Sequence, residues 1–200
     1  MYEHLESKEK YREFYEQQGK QGYSNQHITE DWGRIKPHIP YYKDAIVYEA
    51  GSQTGGCTKI IAKYARHIVT CDISESYLTK AKIYLKDEIG TKVTLQKDFV
   101  EDNLNRWTEY FDIVVCYEIF EHVKDDKRLI EIAFKALKKD GILLFSVPLE
   151  DIFPDPLGEH IRQYKVSDVL KLFASHDVTI RIAPEKNPIW IVGEARKGVI

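Results

Sequence analysis

The sequence predicts an α/β domain: a doubly wound, mostly parallel sheet with helices on both faces, an α/β/α sandwich. Three observations carry this. From Ile46 onward, apolar runs alternate with amphipathic segments, the pattern of parallel strands joined by helical crossovers. The first run, Ile46 to Ala50, ends at Gly51 and meets Gly55 and Gly56, so the backbone can turn sharply from a buried strand into a helix. The second run closes on Asp72, a carboxylate at a strand end.

Taken in order, the first 40 or so residues differ from the rest. Glu6 to Tyr15 is charged and aromatic at helical spacing, and Gln17 to Gln26 is polar with two glycines. The reading is an appendage over residues 1–42 on a domain over 43–200. Ser24 or Asn25 can cap a short helix carrying Ile28, Trp32 and Ile35, which Pro37 and Pro40 would end. Trp32 suits core or lid packing, with substrate stacking as the alternative. Strands are expected near 46–50, 68–72, 92–96, 111–116 and 141–147, and helices near 56–66, 75–88 and 124–138. Val178 to Ala183 and Ile189 to Ala195 are strand-like runs separated by Pro184-Glu185-Lys186-Asn187-Pro188, which reads as a hairpin. These make seven strands.

The glycine turn and the strand-end acid together read as a nucleotide-cofactor site. Asp72 can accept hydrogen bonds from two ribose hydroxyls, and its bland alternative is a solvated acid or helix cap before Ser74 and Glu75. A dinucleotide fingerprint requires G-x-G-x-x-G, but this chain has Gly51, Gln53, Gly55 and Gly56, so an NAD site does not fit. Glu49, two residues before Gly51, would oppose a pyrophosphate but suit a cofactor with an ammonium and a sulfonium.

On these residues the chain resembles the class I S-adenosylmethionine-dependent methyltransferases, whose first motif is acid-x-Gly-x-Gly-x-Gly. Gln53 stands where the family usually has its middle glycine. The resemblance runs from about Ile46 to Arg196 and is carried further by Asp72-Ile73-Ser74, Gln96-Lys97-Asp98-Phe99, the fourth-strand segment Phe111 to Val123 and the helix, turn and strand from Phe134 to Pro148. It implies a Rossmann-like sheet whose terminal strand is antiparallel, and an N-terminal lid over the cofactor. It also implies that Glu49, Gly51, Gln53 and Gly55 serve the methionine end, Asp72 and Ile73 the ribose, and Asp98 and Phe99 the adenine. Glu101 and Asp102 are alternatives to Asp98, and Tyr117 belongs to the same cofactor set.

After the fourth strand come Glu118, Glu121 and His122, with His160 further on. At i, i+3 and i+4 the first three would share a helix face. The set resembles the Glu-x-x-Glu-His arrangement, with a distant histidine, by which some ubiquinone-pathway and small-RNA terminal O-methyltransferases hold a divalent ion. The alternatives are that Glu121-His122 caps the next helix, or that His122 or His160 takes the acceptor proton without metal. Arg162 and Tyr164 suit an anionic acceptor group or a cap on a helix beginning near Ser167. Leu149 to Glu159, rich in proline and glycine, is expected to shape the acceptor pocket.

Composition narrows the partners. Two hundred residues with 43% hydrophobic content suit one soluble domain, and no apolar run is long enough to span a bilayer. Met1 is followed by charged residues rather than a signal core, so a cytoplasmic protein is expected. Cys57, Cys71 and Cys116 are widely spaced, which suits free thiols in a reducing compartment. A net charge of −3 gives no general attraction to nucleic acid, and Lys80, Lys82 and Lys86 read as a solvated face. The expected reaction is methyl transfer to a small-molecule acceptor, at a hydroxyl oxygen. The rivals are a cofactor-binding protein without turnover and an RNA methyltransferase.

Overall fold

The computed structural model describes residues 7–149, 160–183 and 189–197. The expected acceptor loop beyond Leu149 and the hairpin loop 184–188 lie outside them. Seven strands form one sheet in the order β3-β2-β1-β4-β5-β7-β6. They are β1 (Ile46–Ala50), β2 (His67–Asp72), β3 (Val93–Lys97), β4 (Phe111–Tyr117), β5 (Leu137–Pro148), β6 (Asp177–Ala183) and β7 (Trp190–Arg196). Pairing is parallel from β3 to β5, and β7 runs antiparallel between β5 and β6. The predicted α/β/α sandwich with its antiparallel last strand is the observed fold.

The helices are α1 (Lys8–Lys20), α2 (Ile39–Tyr42), α3 (Gly56–Ile61), α4 (Glu75–Tyr84), α5 (Val100–Leu104), α6 (Asp126–Ala136) and α7 (Val166–Leu172). Alternation along the strands sorts two cores onto the two faces. Tyr48, Val114 and Cys116 pack with Leu104, Leu129 and Val169 of α5, α6 and α7. Val47, Ile113 and Val115 point the other way, to Tyr42, Ile61 and Ala81 of α2, α3 and α4. Each fully buried side chain such as Ile61 or Leu129 contributes about 1.5–3 kcal/mol. All three cysteines are buried and free.

Two elements differ from expectation. No helix follows Ser24 or Asn25; the chain there runs through turns, and Asn25 is used elsewhere, accepting from Thr54 Oγ1 at 2.7 Å and from the Gly56 amide at 2.9 Å. Pro37 and Pro40 start a short 3₁₀ turn (Lys36–His38) and α2 rather than ending a helix, because proline at the first helical positions sacrifices no intrahelical bond. The segment before Gly141 is not a plain turn: β5 begins at Leu137, and its register against β4 shifts between Phe111 and Ile113.

β1 lies at the centre, between β2 and β4. From it the chain winds outward to β3 and then returns to β4 on the other side. Such a reversal opens a crevice at the carboxyl ends of the strands, the usual ligand position in doubly wound sheets.

Candidate active site

One cleft opens at that switch point. Its wall includes Glu49, Gly51, Gln53, Asp72, Ile73, Asp98, Phe99, Tyr117, Glu118, His122 and His160, drawn from the ends of β1 to β4 and the loops beyond. Nearly the whole expected site is thus gathered in one place. Gly55 does not line the cleft; it caps α3 with φ of +90°, while Gly51 at +69° does face it.

At the β1 end, Glu49 is buried and accepts a 2.5 Å hydrogen bond from Thr58 Oγ1. Burial pushes its carboxyl up to about 7, and the nearby Asp72 charge adds to the rise. Asp72 is also buried and pushed up to about 6, although it accepts from the amides of Ser74 and Gln53, each at 2.9 Å. Two carboxyls shut away from water on one crevice favour a cationic, hydroxyl-bearing ligand, so the residues present fit the cofactor that the sequence suggests.

At the β3 end, Asp98 accepts from the Phe99 amide at 2.9 Å and from Arg106 Nη2 at 2.5 Å. Glu101 also lines the cleft, where burial raises its carboxyl, whereas Asp102 turns outward to pair with Lys8. Phe99 is covered by α1: Tyr11 lies 6.0 Å from its ring, and Lys8 and Arg12 sit over it. Tyr117 Oη shares 2.6 Å hydrogen bonds with His38 Nδ1 and Tyr42 Oη. Burial lowers His38 to about 3, which keeps it neutral.

At the far end, Glu121, His122 and His160 each offer a ligand atom, all within 4.8 Å of one another. His122 Nε2 lies 3.9 Å from Glu121 Oε1, and the two imidazole rings are 4.9 Å apart. These donors fit a divalent ion. Glu118 is not among them. The segment after β4 is a turn rather than a helix, and Glu118 has φ of +54°, so the expected shared face does not exist. Its carboxylate accepts instead from Ser146 Oγ at 2.9 Å and Trp190 Nε1 at 2.8 Å, and pairs with Arg34 at 3.1 Å.

Arg162 does not cap α7. Its guanidinium donates to the carbonyls of Phe120, Val123 and Lys124 at 2.8–3.0 Å, and so holds the loop that carries Glu121 and His122. Tyr164 Oη donates to Asp126 at 2.9 Å. Sequence reasoning missed Tyr11, Tyr15, Arg34 and Trp190, all of which line the cleft. The aromatic spacing of Tyr11 and Tyr15 was the available signal, since residues four apart share a helix face.

The comparisons agree with this geometry. A family model described as a methyltransferase domain matches residues 48–143. The ubiquinone biosynthesis O-methyltransferase of Hydrogenovibrio crunogenus is 33% identical over 100 residues, 50% of this chain and 41% of that protein. That of Yersinia enterocolitica is 28% identical over 103 residues, 52% of this chain and 42% of its own. The chain therefore aligns with less than half the length of these relatives. Among solved structures, a 1,6-didemethyltoxoflavin-N1-methyltransferase from Burkholderia thailandensis, bound to 1,6-didemethyltoxoflavin and S-adenosylhomocysteine, has a TM-score of 0.77 at 17% identity. That likeness covers 98% of this chain and 92% of the other. The magnesium protoporphyrin IX methyltransferase of Synechocystis, with bound SAH, has a TM-score of 0.69 at 15% identity, over 96% and 100%. The fold is that of these solved structures, and the stretch that matches a methyltransferase domain carries the strand-end acids Glu49 and Asp72 of the cleft.

Proposed function

We propose that this chain transfers a methyl group from S-adenosylmethionine to a hydroxyl oxygen of a small-molecule acceptor. The observation that carries the reading is the two-ended cleft: buried Glu49 and Asp72 at one end, and the His122–His160 pair at the other. When bound, the cofactor supplies an electrophilic methyl group for in-line displacement. The remaining work falls to the chain: binding, orientation, exclusion of water and acceptance of one proton. Glu49, Gly51 and Gln53 would hold the amino-acid end, Asp72 and Ile73 the ribose, and Asp98 and Phe99 the adenine. His122 or His160 would take the acceptor proton.

Residues 1–42 serve as a lid on the domain 43–200. Helix α1 contributes Tyr11, Tyr15 and Gln18 to the cleft wall. A roofed cleft favours a small acceptor over a polynucleotide. Lys80 donates to the Gly19 carbonyl at 2.6 Å and Lys82 pairs with Glu75 at 3.6 Å, so these lysines do not form an open phosphate-binding strip. Among the described residues no helix is long and apolar enough to cross a membrane. The O-methyltransferase relatives support oxygen as the acceptor atom.

The test is release of S-adenosylhomocysteine in the presence of pooled hydroxylated small molecules. Turnover is expected with at least one pool, and His122→Ala or His160→Ala should abolish it while cofactor binding persists. A chain that binds cofactor but turns over no pool favours the reading without catalysis.

The 4.8 Å cluster supports a second reading, in which Glu121, His122 and His160 hold a divalent ion that acidifies the acceptor hydroxyl. Metal-stripped protein would be titrated with magnesium, manganese and zinc, alongside both histidine variants. No binding at millimolar concentration leaves the histidines only the role of base.

A further inference from the structure

We propose that the outer edge of β6 is a dimer interface, where a second copy of this chain pairs antiparallel across a two-fold axis through Thr179. Strand β6 ends the sheet, with β7 on one side and no strand of the described residues on the other. It keeps unbroken register with β7, from Asp177 opposite Arg196 to Ala183 opposite Trp190. On β7 the Lys197 amide donates to the Gly141 carbonyl of β5, and on β6 the Ala183 carbonyl accepts from the Ile189 amide. Backbone groups turn to alternate sides along an antiparallel strand, so Asp177, Thr179, Arg181 and Ala183 face β7. Val178, Ile180 and Ile182 therefore turn their amides and carbonyls outward. Such a row is a template for another strand, and proteins commonly blunt it with lysine, proline or a bulge. From Asp177 to Ala183 there is none of these.

The side chains select the occupant. Asp177, Thr179 and Arg181 share one face of the sheet and all three are exposed. Among the described residues neither Asp177 nor Arg181 forms an ion pair. Arg181 Nη2 meets only His38 Nε2, at 3.5 Å, and Glu194 attracts it from beyond ion-pair distance. An axis through Thr179 sets Asp177 of each copy opposite Arg181 of the other. Both pairs fall at positions without direct backbone bonds, where opposed side chains come closest. The backbone bonds then join Val178 of one copy to Ile180 of the other, the residues whose amides and carbonyls face outward. Their side chains extend the apolar row that already packs against the core. Moving the axis to Val178 or Ile180 would leave each charge opposite a neutral residue. Backbone and charge thus choose one register, and a patch complementary to itself is what a two-fold contact requires.

Sedimentation equilibrium on the full chain tests this, with wild type, Asp177→Arg, Arg181→Asp and an equal mixture of the two variants. Wild type is expected to dimerise in the micromolar range and to do so less tightly as salt rises. Each variant alone sets like charges opposite one another and should dimerise at least tenfold more weakly. The mixture restores an opposite charge at both pairs, so it should recover a heterodimer of wild-type strength. Variants that merely misfold cannot recover in this way. A wild type that is monomeric at about 100 µM overturns the proposal. So does a dimer that both variants leave intact, which would sit on another face, or a mixture that stays as weak as its components.

Discussion

Tyr15 Oη and His122 Nδ1 share a 2.8 Å hydrogen bond across the cleft, joining helix α1 to the loop after β4. With Nδ1 so engaged, Nε2 is the imidazole nitrogen that faces Glu121. The ring pair is also edge to face, at 5.9 Å. Tyr15 therefore acts as a positioning residue for His122. Tyr15→Phe keeps the ring contact and removes the hydrogen bond, worth about 0.5–1.5 kcal/mol. The turnover number should fall by roughly threefold to tenfold, with cofactor affinity unchanged. Steady-state kinetics with the acceptor found in the pooled screen checks this, and an unchanged rate would show that His122 needs no such support.

Helix α1 is latched at a second point. Glu16 accepts hydrogen bonds from Ser74 Oγ at 3.0 Å, from the Ser76 amide at 3.1 Å and from Ser76 Oγ, all at the N-terminus of α4. Gly19 permits the close approach, since a β-carbon there would lie 2.8 Å from Ser74 Oγ. Partial burial works to raise the Glu16 carboxyl, but the bonds from Ser76 and Ser74 outweigh it and hold the group below its usual range. The latch is thus fully formed above the ordinary glutamate pKa and is lost as pH falls through the depressed value. Glu16→Ala, or acid, should raise hydrogen exchange across residues 8–20 while the core strands stay protected. Equal protection of α1 in the variant would place the latch elsewhere.

The parts of this site that were legible in the sequence are those fixed by strand ends. Glu49 and Asp72 sit where two apolar runs stop, and the sheet places those ends together whatever else the chain does. Arg34, Tyr15 and Trp190 come from segments far apart in sequence, and only tertiary packing makes them neighbours. Glu118 was misplaced because helical spacing was read into a segment that forms turns, and its own backbone at φ +54° cannot belong to a helix. Asn25 looked like the cap of its own helix, yet its carbonyl oxygen is spent on α3. A cap signal names a side chain that can bond amides, not which amides it will find.

Glu49 makes cofactor binding depend on pH. Its carboxyl titrates at about 7 in the folded chain against an ordinary value near 4.5. A carboxyl raised on folding favours the native state at low pH, and that contribution fades between pH 4.5 and 7, on the order of 3 kcal/mol in all. Glu49→Gln should therefore flatten the fall in thermal stability across that window. Binding of a cationic tail favours the ionised carboxylate, so affinity for S-adenosylhomocysteine should rise between pH 6 and 8 and then level off. Proton release measured by calorimetry in two buffers checks the coupling. A wild-type affinity that stays flat from pH 6 to 8 would remove Glu49 from contact with the ammonium group.

Gln53 stands at the middle position of the motif that the sequence resembles, where glycine is expected, and it holds a left-handed backbone at φ +47°. What the site uses there is the amide, which donates to Asp72 Oδ2 at 2.9 Å and helps to hold that carboxyl in place. Glycine would make the same bond without a β-carbon. Relief of strain of about 1–2 kcal/mol is opposed by about 0.4–1 kcal/mol of added freedom in the unfolded chain, so Gln53→Gly should be neutral to slightly stabilising. Gln53→Val brings a β-branched side chain to the same φ and should destabilise by about 1–3 kcal/mol. Urea unfolding measures both changes, and calorimetry should find S-adenosylhomocysteine bound by the glycine variant within about threefold of wild type, under 1 kcal/mol. A tenfold loss in that variant would mean that the Gln53 side chain, not its amide, is what meets the ligand.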